Sequence, residues 1–160
     1  MPHSNPSQAR VHVVTVSDTR TLANDESGDE CIRICEENGH VVAGRSLLPD
    51  DPGRVEAHCR SVAGAVDAIL LNGGTGIAPR DTTFEAVSRL IDRPLDGFGE
   101  LFRMLSFAEV GSRALASRAV AGVFGKTLIF SMPGSTKAVR LAMTKLVAPE
   151  LGHLVGELKK

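Results

Sequence analysis

Short β-branched apolar runs alternate along this chain with longer stretches whose apolar residues recur at helical spacing. Val11-His12-Val13-Val14-Thr15-Val16 is apolar and β-branched enough for a buried strand. A polar loop, Ser17 to Gly28, separates it from a helical segment over Asp29 to Asn38, closed by Gly39 at a C-cap position. Val41 to Leu48 fits a second strand, ending at Pro49. Asp51 followed by Pro52 reads as an N-cap with proline at the first helical position, opening a helix to about Gly64. Ala68 to Leu71 is the third strand and Thr83 to Ile91 the helix after it, with Thr82 and Glu85 at the spacing of a capping box. Leu101, Met104 and Leu105 continue a short apolar helical face. Ala119 to Val123 and Thr127 to Ser131 read as two strands around a Gly125-Lys126 turn. Ser135 to Val147 is the next helix, and Leu151, Leu154, Val155 and Leu158 form the stripe of a last one. Strands alternating with helices predict an α/β fold. Its sheet should be mostly parallel and covered on both faces, with a hairpin-type departure late in the chain.

The junction between the third strand and its helix turns the question from fold to chemistry. Ile69-Leu70-Leu71-Asn72 stops at Gly73-Gly74-Thr75-Gly76, and Arg80-Asp81 follows. Such a glycine run lets the backbone take positive φ and approach a ligand closely, with amide N–H groups free to face an anion. A strand, a glycine turn and a helix N-terminus together suit a phosphate; a tight turn that binds nothing has the same local pattern. In parallel sheets, ligands sit beyond the carboxyl ends of the strands. That rule gathers Ser17-Asp18-Thr19-Arg20, Asp25 to Asp29, Pro49-Asp50-Asp51, Gly73 to Asp81 and Ser131-Met132-Pro133-Gly134-Ser135 into one crevice. It would hold a phosphate-type cradle, two or three carboxylates and Arg80.

Composition narrows the class. The 160 residues suit one domain over 11–160 after a flexible N-terminal tail over 1–10. Lysine plus arginine (18) nearly balances aspartate plus glutamate (19), so no global field draws nucleic acid or a membrane. Asp67 interrupts the longest apolar candidate for a membrane span, Ala63 to Leu71. Three cysteines without an export signal suggest a reducing cytoplasm. Cys31 and Cys35 have the spacing of one helix face but no further Cys/His pair beside them, which favours buried structural thiols over a metal site. Gly122 to Thr127 imitates the end of a P-loop, but Val120 stands where that motif needs glycine and a strand-like run follows.

Taken in order, Thr15-Val16-Ser17-Asp18-Thr19-Arg20, Asp25-Glu26-Ser27-Gly28, Asn72-Gly73-Gly74-Thr75-Gly76 with Arg80-Asp81, and Met132-Pro133-Gly134-Ser135 resemble the MoaB/Mog family of molybdenum cofactor biosynthesis proteins. The segments Asp96 to Phe107 and Gly125 to Phe130 look like its MoaB branch. The resemblance implies a three-layer α/β/α molybdopterin-binding fold and magnesium-dependent adenylylation of molybdopterin by ATP. It also implies a trimer or hexamer in the cytoplasm, with the molybdate-insertion enzyme of the same pathway as a possible partner. The family's two functional aspartates match Asp50 and Asp81, which would serve catalysis and hold Mg2+. Ser17, Asp18, Gly73, Gly74, Thr75, Gly76, Arg80, Ser106, Pro133, Gly134 and Ser135 are the expected substrate contacts. A non-catalytic carrier of pterin or nucleotide is the competing reading, and a nucleotide-binding domain unrelated to molybdenum is a third.

Overall fold

In this computed structural model, which describes residues 8–160, the alternating runs become a single mixed sheet between two helical layers. The strands are β1 (Arg10–Val16), β2 (Val41–Leu48), β3 (Ala68–Asn72), β4 (Arg93–Pro94), β5 (Val120–Phe124) and β6 (Thr127–Met132). The helices are α1 (Glu26–Glu37), α2 (Pro52–Val62), α3 (Thr83–Leu90), α4 (Asp96–Val110), α5 (Thr136–Ala142) and α6 (Ala148–Leu158). Strand order is β2-β1-β3-β6-β5-β4. The first four of these are parallel, and the β5–β6 hairpin and short β4 make the antiparallel departure.

Period-two alternation explains why the strands are apolar throughout. Val11, Val13, Leu70, Leu128 and Phe130 face α1, α4, α5 and α6, whereas Val14, Val16, Ile69, Leu71 and Ile129 face α2 and α3. Both faces are covered, so every residue of β3 is buried. The result is the expected α/β/α sandwich.

Several local expectations change. Most of the tail over 1–10 lies outside the described residues, but Ala9 is already buried and Arg10 opens β1. Helix α1 starts at Glu26, ahead of Asp29, because the Asp25 side chain accepts from Gly28 N and caps it. The capping box at Thr82 and Glu85 does not form: Thr82 makes no side-chain cap bond, and Glu85 turns to Arg118. The helix expected over Ser135 to Val147 is interrupted by a π turn, Met143–Val147, that leads straight into α6. There Ala148 N–H reaches back to Met143 O, just before Pro149, which has no N–H to continue the α ladder. Strand β4, two exposed residues beside β5, has no periodicity to announce it. All three cysteines are free and buried.

Candidate functional site

Beyond the carboxyl ends of β1, β2, β3 and β6, four loops meet around a crevice of about 220 Å³. Ser17, Asp18, Asp50, Gly74, Arg80, Asp81 and Gly134 line it, one or more from each loop. The turn out of β3 needs its glycines. Gly73 has φ 105° and Gly74 φ 72°. A Cβ on Gly73 would lie 2.1 Å from Val16 O, and one on Gly74 would lie 2.1 Å from Thr83 Oγ1 and 2.6 Å from Asp50 Oδ1. Gly73 N–H is held by Met132 O, which ties the turn to β6. Among the described residues, the N–H groups of Gly74, Thr75 and Gly76 donate to no protein acceptor. Three consecutive free amides at a glycine turn are suited to an anion.

The carboxylates here are crowded and uncompensated. Asp18 Oδ1 accepts from Asp50 N at 2.9 Å, which fixes the backbone after β2. Asp50 is partly buried, and its Oδ1 is buried without a hydrogen-bond partner. Burial, then the charges of Asp18 and Asp81, push the Asp50 carboxyl above its ordinary pKa, while Arg80 pulls the other way. Among the described residues none of Asp18, Asp50 and Asp81 forms an ion pair, and Arg20 at the rim is engaged by Asp25 at 3.8 Å. Asp81 Oδ2 accepts from Ala78 N at 3.1 Å and does not cap α3, whose cap position is Thr82. An anion cradle beside unpaired hard oxygen donors fits a phosphate ligand carrying a divalent cation. No three His, Cys, Asp or Glu among the described residues form a complete metal site by themselves.

A family model described as a probable molybdopterin binding domain matches residues 12–153. The chain belongs to that family. Molybdenum cofactor biosynthesis protein B of Bacillus subtilis strain 168 is 51% identical over 161 residues, covering 97% of this chain and 93% of that protein. Its counterpart in Halalkalibacterium halodurans is 49% identical over 158 residues, covering 97% and 93%. A crystal structure of molybdenum cofactor biosynthesis protein B superposes with TM-score 0.93 at 47% identity, covering 98% of this chain and 99% of that one. The Pyrococcus furiosus tungsten cofactor synthesizing protein MoaB superposes with TM-score 0.86 at 30% identity, covering 98% and 100%. The role of this molybdopterin-binding family member therefore lies in molybdenum cofactor biosynthesis.

The family member does not collect all the expected contacts in one place. Thr75 is buried behind the turn, and Gly76 lies where a Cβ would come 2.8 Å from Asp81 Oδ2. Ser106, Pro133 and Ser135 line an adjoining apolar pocket of about 270 Å³, with Phe102, Ser117 and Ala138. The Ser135 hydroxyl is occupied as the N-cap of α5, accepting from Ala138 N at 3.1 Å. Ser117 Oγ is buried without a partner.

Under the crevice lies a second polar cluster that supports it. Thr15 Oγ1 donates to Asp25 Oδ2 at 2.7 Å, and Ser27 Oγ to Asn72 Oδ1 at 2.8 Å. Asn72 Nδ2 donates back to Thr15 Oγ1 at 3.1 Å. Arg20 bonds Ser27 Oγ and, at 2.9 Å, Gly134 O, stapling the β6 loop to the start of α1. Arg118, just before β5, donates to the carbonyls of Gly76 and Asp81. Asp25 and Ser27 belong to a visible motif; Arg118 carries no local pattern that would single it out.

Proposed function

We propose that this crevice adenylylates molybdopterin. The terminal phosphate of the pterin attacks the α-phosphorus of ATP, a new P–O bond forms, the bond to the β-phosphate breaks, and pyrophosphate leaves. One observation carries the reading: a buried, unpartnered Asp50 Oδ1 faces a glycine turn with free amides, beside Asp18 and Asp81, and none of the three carboxylates forms an ion pair among the described residues. Asp50 and Asp81 would hold Mg2+ through their carboxylate oxygens, the hard donors this cation takes. Bound there, magnesium would supply charge neutralisation to the phosphates. The free amides of the glycine turn, with Gly74 lining the crevice, orient a phosphate, and Arg80 at the mouth adds a positive side chain that forms no ion pair among the described residues. Asp18 holds Asp50 in register.

The apolar pocket beyond the Pro133-Gly134-Ser135 turn is suited to the pterin ring, with Ser117 Oγ as a polar handle and Phe102 as a wall. The chain works as a homo-oligomer in this reading. Leu101, Met104, Phe107 and Val110 form a stripe along α4 that is 44–61% exposed, more apolar surface than one helix leaves to water without a partner. Light scattering at micromolar concentration should show a trimer or hexamer, and a monomer would remove that part. No described helix is long and apolar enough to cross a membrane.

The reaction is tested by incubating the protein with molybdopterin, ATP and magnesium and following adenylylated pterin by mass spectrometry. Product together with equimolar pyrophosphate is expected. Tight pterin binding without product would make the protein a carrier.

A further inference from the structure

We propose that Arg118 is a positioning residue that clasps the Gly76–Asp81 loop from behind and so holds the Asp81 carboxylate in place; this rests on the reading of the crevice as a nucleotidyl-transfer site. Arg118 follows a 3-10 turn, Gly111–Ala116, and its own N–H donates to Thr75 O at 2.8 Å. Its Nε donates to Gly76 O at 2.9 Å and its Nη2 to Asp81 O at 2.6 Å, so one guanidinium spans the two ends of the loop. The remaining edge pairs with Glu85 in the first turn of α3, and the plane lies over the Phe84 ring, 5.2 Å from its centroid.

Little else secures this loop. Ile77, Ala78, Pro79 and Arg80 are exposed. The bonds from Asp81 N to Ala78 O and from Ala78 N to Asp81 Oδ2 are internal to it. Among the described residues, every hydrogen bond that leaves the segment 76–81 for the rest of the fold ends on Arg118. The planar fork is what makes this work. It presents donors in fixed directions to two carbonyls and a carboxylate, whereas a lysine ammonium acts as one point charge. The internal Ala78–Asp81 bonds orient the Asp81 side chain only while the loop ends stay put, which is the task the guanidinium performs.

The test compares Arg118→Ala and Arg118→Lys with the wild type, each checked for fold by circular dichroism. Hydrogen–deuterium exchange at Ala78 and Asp81 should accelerate in the alanine variant and lie between the two in the lysine variant. Turnover should fall by about 10² in kcat, the size of loss that misplacing a reacting group brings, with KM for ATP little changed. Millimolar guanidinium should restore part of the activity and of the exchange protection to Arg118→Ala, which a general packing defect would not allow. Wild-type exchange at Ala78 and Asp81 in a folded variant, or an undiminished kcat, overturns the proposal. If Arg118→Ala does not fold, the lysine variant decides on the same two readouts. A wild type without turnover removes the nucleotidyl-transfer reading alone, because exchange still decides the clasp.

Discussion

Asp25 and Asp50 stand at the same end of the same sheet and are opposite kinds of carboxylate. Asp25 is 1% exposed and fully partnered: Thr15 Oγ1 at 2.7 Å, Gly28 N at 3.0 Å and Arg45 Nη2 at 3.0 Å converge on its two oxygens. Asp50 has an oxygen buried with no partner and two carboxylates as its neighbours. Buried polar groups in folded proteins are almost always satisfied, so the satisfied cluster reads as scaffold and the unsatisfied one as a place that a ligand completes. The two are joined. Arg20 and Asn72, which belong to the scaffold, brace Gly134 and β3 at the edge of the crevice.

Breaking the crevice without the scaffold should give the largest effect. Gly74→Val forces a side chain into φ 72° and onto Thr83 and Asp50, so pterin binding should be lost while far-UV circular dichroism stays near normal. Unchanged pterin affinity in the folded variant would take the glycine turn out of the site. Breaking the scaffold should do the reverse. Asp25→Ala strands Arg45 and Thr15 and should lower unfolding free energy by about 3 kcal/mol in a urea titration, at the low end for a buried charge because Arg45 reaches water. A loss confined to activity would show that Asp25 belongs with the ligand.

A smaller effect comes from the histidines, which lie outside both clusters. His12 and His58 meet Nε2 to Nε2 at 3.2 Å between β1 and α2, and His40 accepts from Ala9 N at 3.0 Å. Burial lowers all three pKa values, and His58 lowers that of His12 further. The unfolded chain therefore takes up protons near pH 6.5 that the folded chain refuses, and stability falls as pH drops below that value toward the folded pKa values. Tm should drop by a few degrees between about pH 7.5 and about pH 5.5, and alanine at His12 and His58 together should flatten the slope.

What the sequence made readable was whatever is local or periodic. The buried strands carry two apolar faces each, the glycine turn follows β3 directly, and parallel topology alone brought Asp18, Asp50, Asp81 and Gly134 to one crevice. What it hid acts across distance. Glu85 had a proper partner in Thr82 by spacing, yet the guanidinium of Arg118, 33 residues away, claims it, because a charge-assisted pair outweighs a weak backbone cap. Ser106 and Ser135 belong to the neighbouring apolar pocket because α4 packs against α5, a placement no local pattern encodes.

The contrast between the two aspartates is tested most directly by Asp50→Asn, with Tm and adenylylation rate measured on one preparation. An amide removes a charge that the folded state holds against burial and against Asp18 and Asp81. The account predicts a Tm equal to or above that of the wild type and a turnover lower by about 10² to 10³, the range for losing one electrostatic contact to a transition state. A lowered Tm with undiminished turnover would make Asp50 a second Asp25, and would contradict the account.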